Sequence, residues 1–302
     1  MNVDLKKLET ENQNVNTMNI DTCSAEEIVT LINNEDATVA AAVQKQIPQI
    51  AKLVDVIVEQ FEKGGHLYYI GAGTSGRLGF LDAAECPPTY GVPYEMVVGI
   101  MAGGFEALYK AKEGAEDSAE LGVEDCKAHN LSKNDVLVGI AASGRTPYVI
   151  GALKYAKEIG CPTGSIACVS DSQIGKIADY PIDVVSGQEV VTGSTRMKAG
   201  TAQKMVLNMI STASMIRMGK VYNNLMVDVK PTNEKLVARA KGIIVKATGC
   251  DQKTAEKLFE EAGKNPKLAI AMYETGYNKA DSEALLAKYK GHLKTALLSI
   301  KK

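Results

Sequence analysis

Tryptophan is absent from the 302 residues, and phenylalanine and histidine are scarce, with Phe 4 and His 3. So few large aromatics leave little for stacking nucleobases or flat cofactors. The 27 glycines point instead to a site built from backbone loops and small polar groups. No charge sign dominates: 34 Lys+Arg face 36 Asp+Glu, a formal net charge of -2. That excludes the basic footprint expected for nucleic acid or an anionic membrane surface. The six cysteines (Cys23, Cys86, Cys126, Cys161, Cys168, Cys250) contain no C-x-x-C, so no zinc or iron–sulfur spacing is present. Reduced thiols in the cytoplasm are the expectation, and the N-terminal MNVDLKKLETENQNVN has no apolar core of a secretory signal. The longest apolar stretch, Met205 to Met218, is broken by Asn208 and Arg217 and is too short and polar to span a bilayer. His66, His129 and His292 are scattered and read as structural; no metal is expected.

What is there is a regular alternation. The first 23 residues are polar and aperiodic and predict an extended arm. Ser24-Ala-Glu-Glu27 is a capping box opening a short helix. A second helix is predicted over Ala37–Lys63, with Val43, Ile47, Ile50, Leu53, Val54, Ile57, Val58 and Phe61 at helical spacing. Strands are then predicted at His66–Gly73, Pro93–Ile100, Asn134–Ser143, Gly164–Ser170 and Pro181–Ser186. Helices are predicted from about Ser75, over Pro147–Ile159 and over Gly200–Met218. Strands alternating with helices imply an α/β fold with a doubly wound parallel sheet. After Lys230–Lys235 the strand signals vanish and short helices follow, separated by GCDQKT, GKNPK and TGYNKADS. The expected division is therefore 1–229 for the α/β domain and 230–302 for a small all-helical C-terminal domain. The Met-rich helix (Met205, Met209, Met215, Met218) reads as core or subunit interface.

Three loops carry the chemistry. Gly71-Ala-Gly73-Thr74-Ser75-Gly76 follows a strand and opens a helix, a formal G-x-G-x-x-G. A dinucleotide fold would also need an acid at the end of the second strand, which here ends Val97-Val98-Gly99-Ile100. What remains is a helix N-terminus bearing hydroxyls, which suits a phosphate; Ser75 could equally be a plain helix cap. The device recurs in Ser143-Gly144-Arg145-Thr146 before Pro147 and in Gly193-Ser194-Thr195-Arg196 before the long helix. Three such loops at the carboxyl edge of a doubly wound sheet point to a small phosphorylated polyol.

The stretches GAGTSGRLG, DAAECPPTYG, AASGRTPYVIGAL and TGSTRMKAGTAQK resemble the sugar isomerase (SIS) fold. More narrowly they resemble the N-acetylmuramic acid 6-phosphate etherases of peptidoglycan recycling, over nearly the whole chain. The glucokinase regulatory protein shares these motifs at about twice the length, so the length here favours the enzyme. The resemblance implies elimination of a D-lactyl ether from C3 of an amino sugar phosphate, followed by hydration, without a cofactor. It also implies a homodimer with its site near the interface, and a ubiquitin-associated-like C-terminal bundle serving packing rather than ubiquitin binding.

Carried over by motif position, Glu85 in DAAECPP is the general acid for departing lactate and also activates the incoming water. Glu116 in GAEDSAELG is the second catalytic acid, read as the C2 base. Substrate contacts are expected from Gly73, Thr74, Ser75, Ser143, Gly144, Arg145, Thr146, Ser194, Thr195 and Arg196. Read from the residues alone, Glu85 closes a short helix just before Pro87-Pro88, where the helix dipole would raise its pKa. Glu116 alone reads as a first-turn helix acid, with Glu113 and Asp117 as close rivals. A non-catalytic sugar-phosphate sensor would keep the loops and need neither glutamate; a sugar-phosphate isomerase of the same fold is the third reading.

Overall fold

The computed structural model describes residues 9–110, 112–231 and 233–300. Five parallel strands form the central sheet: β1 (Leu67–Gly71), β2 (Val97–Met101), β3 (Val136–Ile140), β4 (Thr163–Ala167) and β5 (Tyr180–Asp183). Their order is β2-β1-β3-β4-β5, so the chain reverses its direction of progress between β1 and β3. Each strand coincides with an expected one, because buried parallel strands read as unbroken apolar runs. β1 and β3 are buried at every position.

Glycines let helices approach both faces. On β3, a Cβ at Gly139 would strike Val149 and Leu153 of helix α6 (Pro147–Glu158) at 2.6 and 3.0 Å. On the opposite face, a Cβ at Gly164 of β4 would meet Leu53 of α3 (Ile47–Glu62) at 2.8 Å. Helix α4 (Gly73–Tyr90) shares the α3 side, its Gly79 lying against Tyr69. Helices α5 (Ala119–Ala128) and α7 (Gln173–Ile177) join α6 around a core that includes Tyr68, Ile70, Leu137, Tyr148, Leu153 and Ile174. The sheet is therefore doubly wound.

Several expectations need correction. The single helix over Ala37–Lys63 is two, α2 (Val39–Gln44) and α3, because Pro48 cannot donate to the carbonyl four residues back. The capping box does open α1 (Ala25–Asp36), with both reciprocal bonds formed. The arm is not extended where it is described: from Glu9 onward it forms three short 3-10 turns. Thr17 Oγ1 donates to the Val190 carbonyl at 2.9 Å and Asn14 Nδ2 to the Gln188 carbonyl at 3.5 Å, so polar side chains fasten it. Residues 1–8 of the expected arm lie outside the described residues.

Helix α4 also runs through Pro87 and Pro88 to Tyr90, and the Gly91 N–H closes its last turn on the Pro87 carbonyl at 2.9 Å. Glu85 is thus not at the helix terminus, where the dipole would act. Helix α8 (Lys198–Arg217) starts slightly earlier than expected.

The chain forms two compact units, Met1–Ala84 with Tyr94–Ser211, and Glu85–Pro93 with Thr212–Lys302. The division falls elsewhere than Val229 because Tyr222, Leu225, Val227 and Val229 pack into the helical core with Ile244, Phe259 and Leu268. That second unit contains α9 (Glu234–Thr248), α10 (Gln252–Glu261), α11 (Pro266–Thr275), α12 (Lys279–Lys288) and α13 (Leu293–Ile300). It also holds an unexpected antiparallel hairpin, β6 (Val221–Tyr222) with β7 (Leu225–Met226), turned at Asn223 with φ 52. Asparagine tolerates that left-handed conformation. No helix among the described residues is long and apolar enough to cross a membrane.

Candidate active site

A polar cavity of about 470 Å³ opens where the β1 and β3 loops diverge. Strand order 2-1-3-4-5 creates a crevice at that switch point, the usual ligand position in open α/β sheets. Of the expected residues, Gly73, Thr74, Ser75, Glu116, Ser143, Arg145, Thr146 and Thr195 line it. Gly144, Ser194, Arg196 and Glu85 do not.

The β1 loop is shaped by mutual glycine contact. A Cβ at Gly76 would lie 2.6 Å from the Gly71 carbonyl oxygen, and Gly73 adopts φ +55 at the start of α4. The first turn of α4 therefore folds tightly back on β1 and presents its N–H groups to the cavity. Ser75 is no cap: its hydroxyl donates to Gln203 Oε1 on α8 at 3.0 Å. In the β3 loop, Gly144 adopts φ +67, and a Cβ there would come within 2.5 Å of Ser172 Cβ. Gly144 is structural in this loop, carrying Ser143 and Thr146 without facing the cavity. Thr146 is the N-cap residue of α6 but makes no side-chain cap bond. Its hydroxyl is left for a ligand at the positive end of a twelve-residue helix. Arg145 adds a cation beside it. A phosphate fits here.

The carboxylates come from elsewhere. Glu116 and Asp117 enter on a 3-10 turn, Ala115–Asp117, that follows the left-handed Gly114 (φ 77). Sequence patterning took Glu116 for a helix first-turn acid; the turn instead precedes α5, whose N-cap is Ser118. Glu11 of the arm also lines the cavity and was not expected. The arm reads as polar and aperiodic, and nothing local reveals that it will reach a sheet edge. Glu113 is not in this cavity. Glu85 is exposed on α4, within the second compact unit.

The third loop is fixed by a buried network. Lys198 Nζ pairs with Glu35 Oε2 of α1 at 2.7 Å and donates to the Gln188 carbonyl at 3.2 Å. The fully buried Glu189 accepts from the backbone N–H groups of Lys198 and Ala199, both at 2.9 Å, closing the N-terminus of α8. Burial raises the pKa of Glu189 against those two N–H bonds. For Glu35, burial is outweighed by hydrogen bonds from Lys198 and Asn16, and its pKa falls.

His66 pairs with Asp135 at 2.8 Å beside the starts of β1 and β3, the edge opposite the cavity. That placement makes it a structural tie. Burial pushes the Cys126 and Cys161 thiols up to about 12, which removes them as nucleophiles. Among the described residues no cluster of three or more His, Cys, Asp or Glu is placed to hold a metal.

The fold and the loop-lined crevice define a SIS-domain protein: the SIS domain matches residues 119–213, and the glucokinase regulatory protein N-terminal SIS domain matches residues 49–157. A phosphoheptose isomerase structure from Neisseria gonorrhoeae is similar with TM-score 0.48 and 18% identity, over 63% of this chain and 98% of that one. Full-length similarity is narrower. N-acetylmuramic acid 6-phosphate etherase of Clostridium beijerinckii is 56% identical over 99% of this chain and 98% of its own length. The enzyme of that name from Clostridioides difficile is 56% identical with the same coverage. The chain belongs to the N-acetylmuramic acid 6-phosphate etherase family.

Proposed function

We propose that this chain cleaves the D-lactyl ether of N-acetylmuramic acid 6-phosphate, giving N-acetylglucosamine 6-phosphate and D-lactate, as a carbon–oxygen lyase of peptidoglycan recycling. The observation that carries the reading is the convergence of three hydroxyl-bearing loops, Arg145 and Glu116 on one cavity in a chain of this family.

The phosphate sits against Thr74, Ser75, Ser143, Arg145, Thr146 and Thr195, at the N-termini of α4 and α6. In the open-chain sugar the C1 aldehyde acidifies the C2 hydrogen. The Glu116 carboxylate takes that proton, and the electron pair forms the C2–C3 double bond as the C3–O bond breaks. A general acid protonates the departing lactate oxygen and then activates a water that adds at C3, roles that motif position gives to Glu85, which lies off this cavity; the proton on Glu116 returns to C2. Atoms balance as substrate plus water. General acid–base help of this kind contributes typically 10²–10⁴-fold per group.

The reading extends to a cytoplasmic homodimer. Leu81 of α4 and Met209 of α8, 50% and 36% exposed, lie on neighbouring helices joined by the Ser211–Asp82 hydrogen bond. Two exposed large apolar side chains on packed helices support a subunit contact. Light scattering should give twice the chain mass, and Leu81→Glu should shift it to monomer; a wild-type monomer at micromolar concentration rejects the dimer.

Incubation with N-acetylmuramic acid 6-phosphate should release D-lactate, and pure folded protein that releases none refutes the activity. In deuterated water, Glu116→Gln should suppress both lactate release and C2 exchange. Glu85→Gln should suppress release while sparing some exchange. If exchange survives only in Glu116→Gln, the two roles are reversed.

A further inference from the structure

A second cavity, of about 200 Å³, shares Ala72, Gly73 and Glu116 with the first. The rest of its wall is Met101, Ala102, Ala107 and Ala115, with two cations, Arg77 and Lys112, and the carboxylate of Glu113. Resting on the etherase reading, we propose that this cavity seats the lactyl group of the substrate, with Lys112 pairing its carboxylate.

The argument is one of placement and charge. A base that takes the C2 proton must lie next to C3, where the lactyl ether is attached. Glu116 stands on the wall common to both cavities, so a sugar phosphate held by the hydroxyl loops turns its C3 substituent into the second. A lactyl group is one methyl and one carboxylate on a single carbon, which matches an alanine-lined wall with cations. The two cations are differently committed. Arg77 donates from Nε to the Leu108 carbonyl and from Nη2 to the Ala107 carbonyl, both at 2.8 Å, so it fixes the turn that borders the cavity. Among the described residues Lys112 pairs with Glu106 alone, at 3.4 Å, with the two side chains 47% and 48% exposed. Exposed pairs at that distance contribute little, so Lys112 can exchange Glu106 for a ligand carboxylate at little cost.

The stem of Lys112 is seated. Gly103 adopts φ +84 after β2, and a Cβ there would come within 2.9 Å of Lys112 Cδ. Glu113 and Glu116 also face this cavity. Their charge disfavours the more highly charged phosphate over a carboxylate there, which orients the substrate one way round.

The test uses the lactate-release assay with N-acetylglucosamine 6-phosphate, which lacks the lactyl group, as a competitive inhibitor. A hydrogen-bonded charge pair is worth about 1.5–3 kcal/mol, and 1.4 kcal/mol is tenfold. Lys112→Met should therefore raise KM for N-acetylmuramic acid 6-phosphate roughly tenfold or more. Its Ki for N-acetylglucosamine 6-phosphate should stay within about twofold, far below the tenfold that 1.4 kcal/mol would bring. Lys112→Arg should restore most of the loss. Equal weakening of both sugar phosphates, or of neither, overturns the subsite. Absence of lactate release by the wild type would sink the etherase reading separately. In that event, calorimetric binding of the same two sugar phosphates to wild type and Lys112→Met still decides the subsite by the same difference.

Discussion

The buried pair between Lys198 and Glu35 lends itself to a quantitative test because it ties the third site loop to α1. Lys198 sits three residues after Thr195, and its side chain is only 4% exposed, against 13% for that of Glu35. In Lys198→Met the Glu35 carboxylate keeps its bond from Asn16 Nδ2 at 2.9 Å but loses its cation. Removing one partner of a buried pair costs about 3–5 kcal/mol, and the surviving Asn16 bond and partial exposure put this case near 3 kcal/mol. The Gln188 carbonyl loses its closer donor as well, keeping Asn14 Nδ2 at 3.5 Å. Replacing both partners, Lys198→Met with Glu35→Leu, removes the stranded charge, and the double variant should recover most of the loss. Urea unfolding followed by the intrinsic tyrosine signal and by far-UV dichroism gives the stability difference, with coincident transitions as the check on two-state behaviour. Since Glu35 has a lowered pKa in the folded state, its contribution is present above the unfolded carboxylate pKa and disappears as pH falls through the folded one. Wild type and Glu35→Gln should therefore converge in acid. A Lys198→Met loss below about 1 kcal/mol, or a double variant no better than the single, refutes the assignment of this pair as a buried clamp.

Asp82 tests the opposite sign. Burial pushes its pKa up to about 6 despite hydrogen bonds from Ser211 and Tyr69. Its folded form holds a proton more tightly than the unfolded chain, so stability is lost as pH rises through 6. Asp82→Asn should gain stability relative to wild type above that pH, by up to about 3 kcal/mol from the size of the shift, and gain nothing near pH 4; parallel melting curves across that range would contradict it. Gly144→Ala forces a side chain into φ +67 and toward Ser172, so melting should drop by the equivalent of about 2 kcal/mol or more. The same variant should raise KM, because Ser143 and Thr146 move with the loop; an unchanged KM would argue that this loop does not hold the phosphate. Tyr148→Phe removes the bond from a fully buried hydroxyl to Asp125 Oδ2 and should cost about 1–3 kcal/mol without altering KM. A KM change would place α5 in the site.

The amino-acid pattern by itself determined the alternation of strands and helices and the glycine turns that end β1 and β3. Apolar runs and left-handed glycines act over a few residues, and their consequences are local. It also located the hydroxyl loops and, through the resemblance they carry, the family; the same resemblance named the two glutamates, of which Glu116 lines the cavity and Glu85 does not. It misplaced α4, since a rule that stops helices at proline looks only at the lost N–H and not at the packing that outweighs it. Only the tertiary structure decided which of those residues meet. The 2-1-3-4-5 strand order pairs β1 with β3 across 69 residues of sequence and so sets their loops side by side, while the folded cavity leaves out Ser194 and Arg196 and takes in Glu11 from the arm. Lys112 and Arg77 gained meaning in the same way, because a cation's role depends on the cavity it borders, and cavities are made by elements distant in sequence.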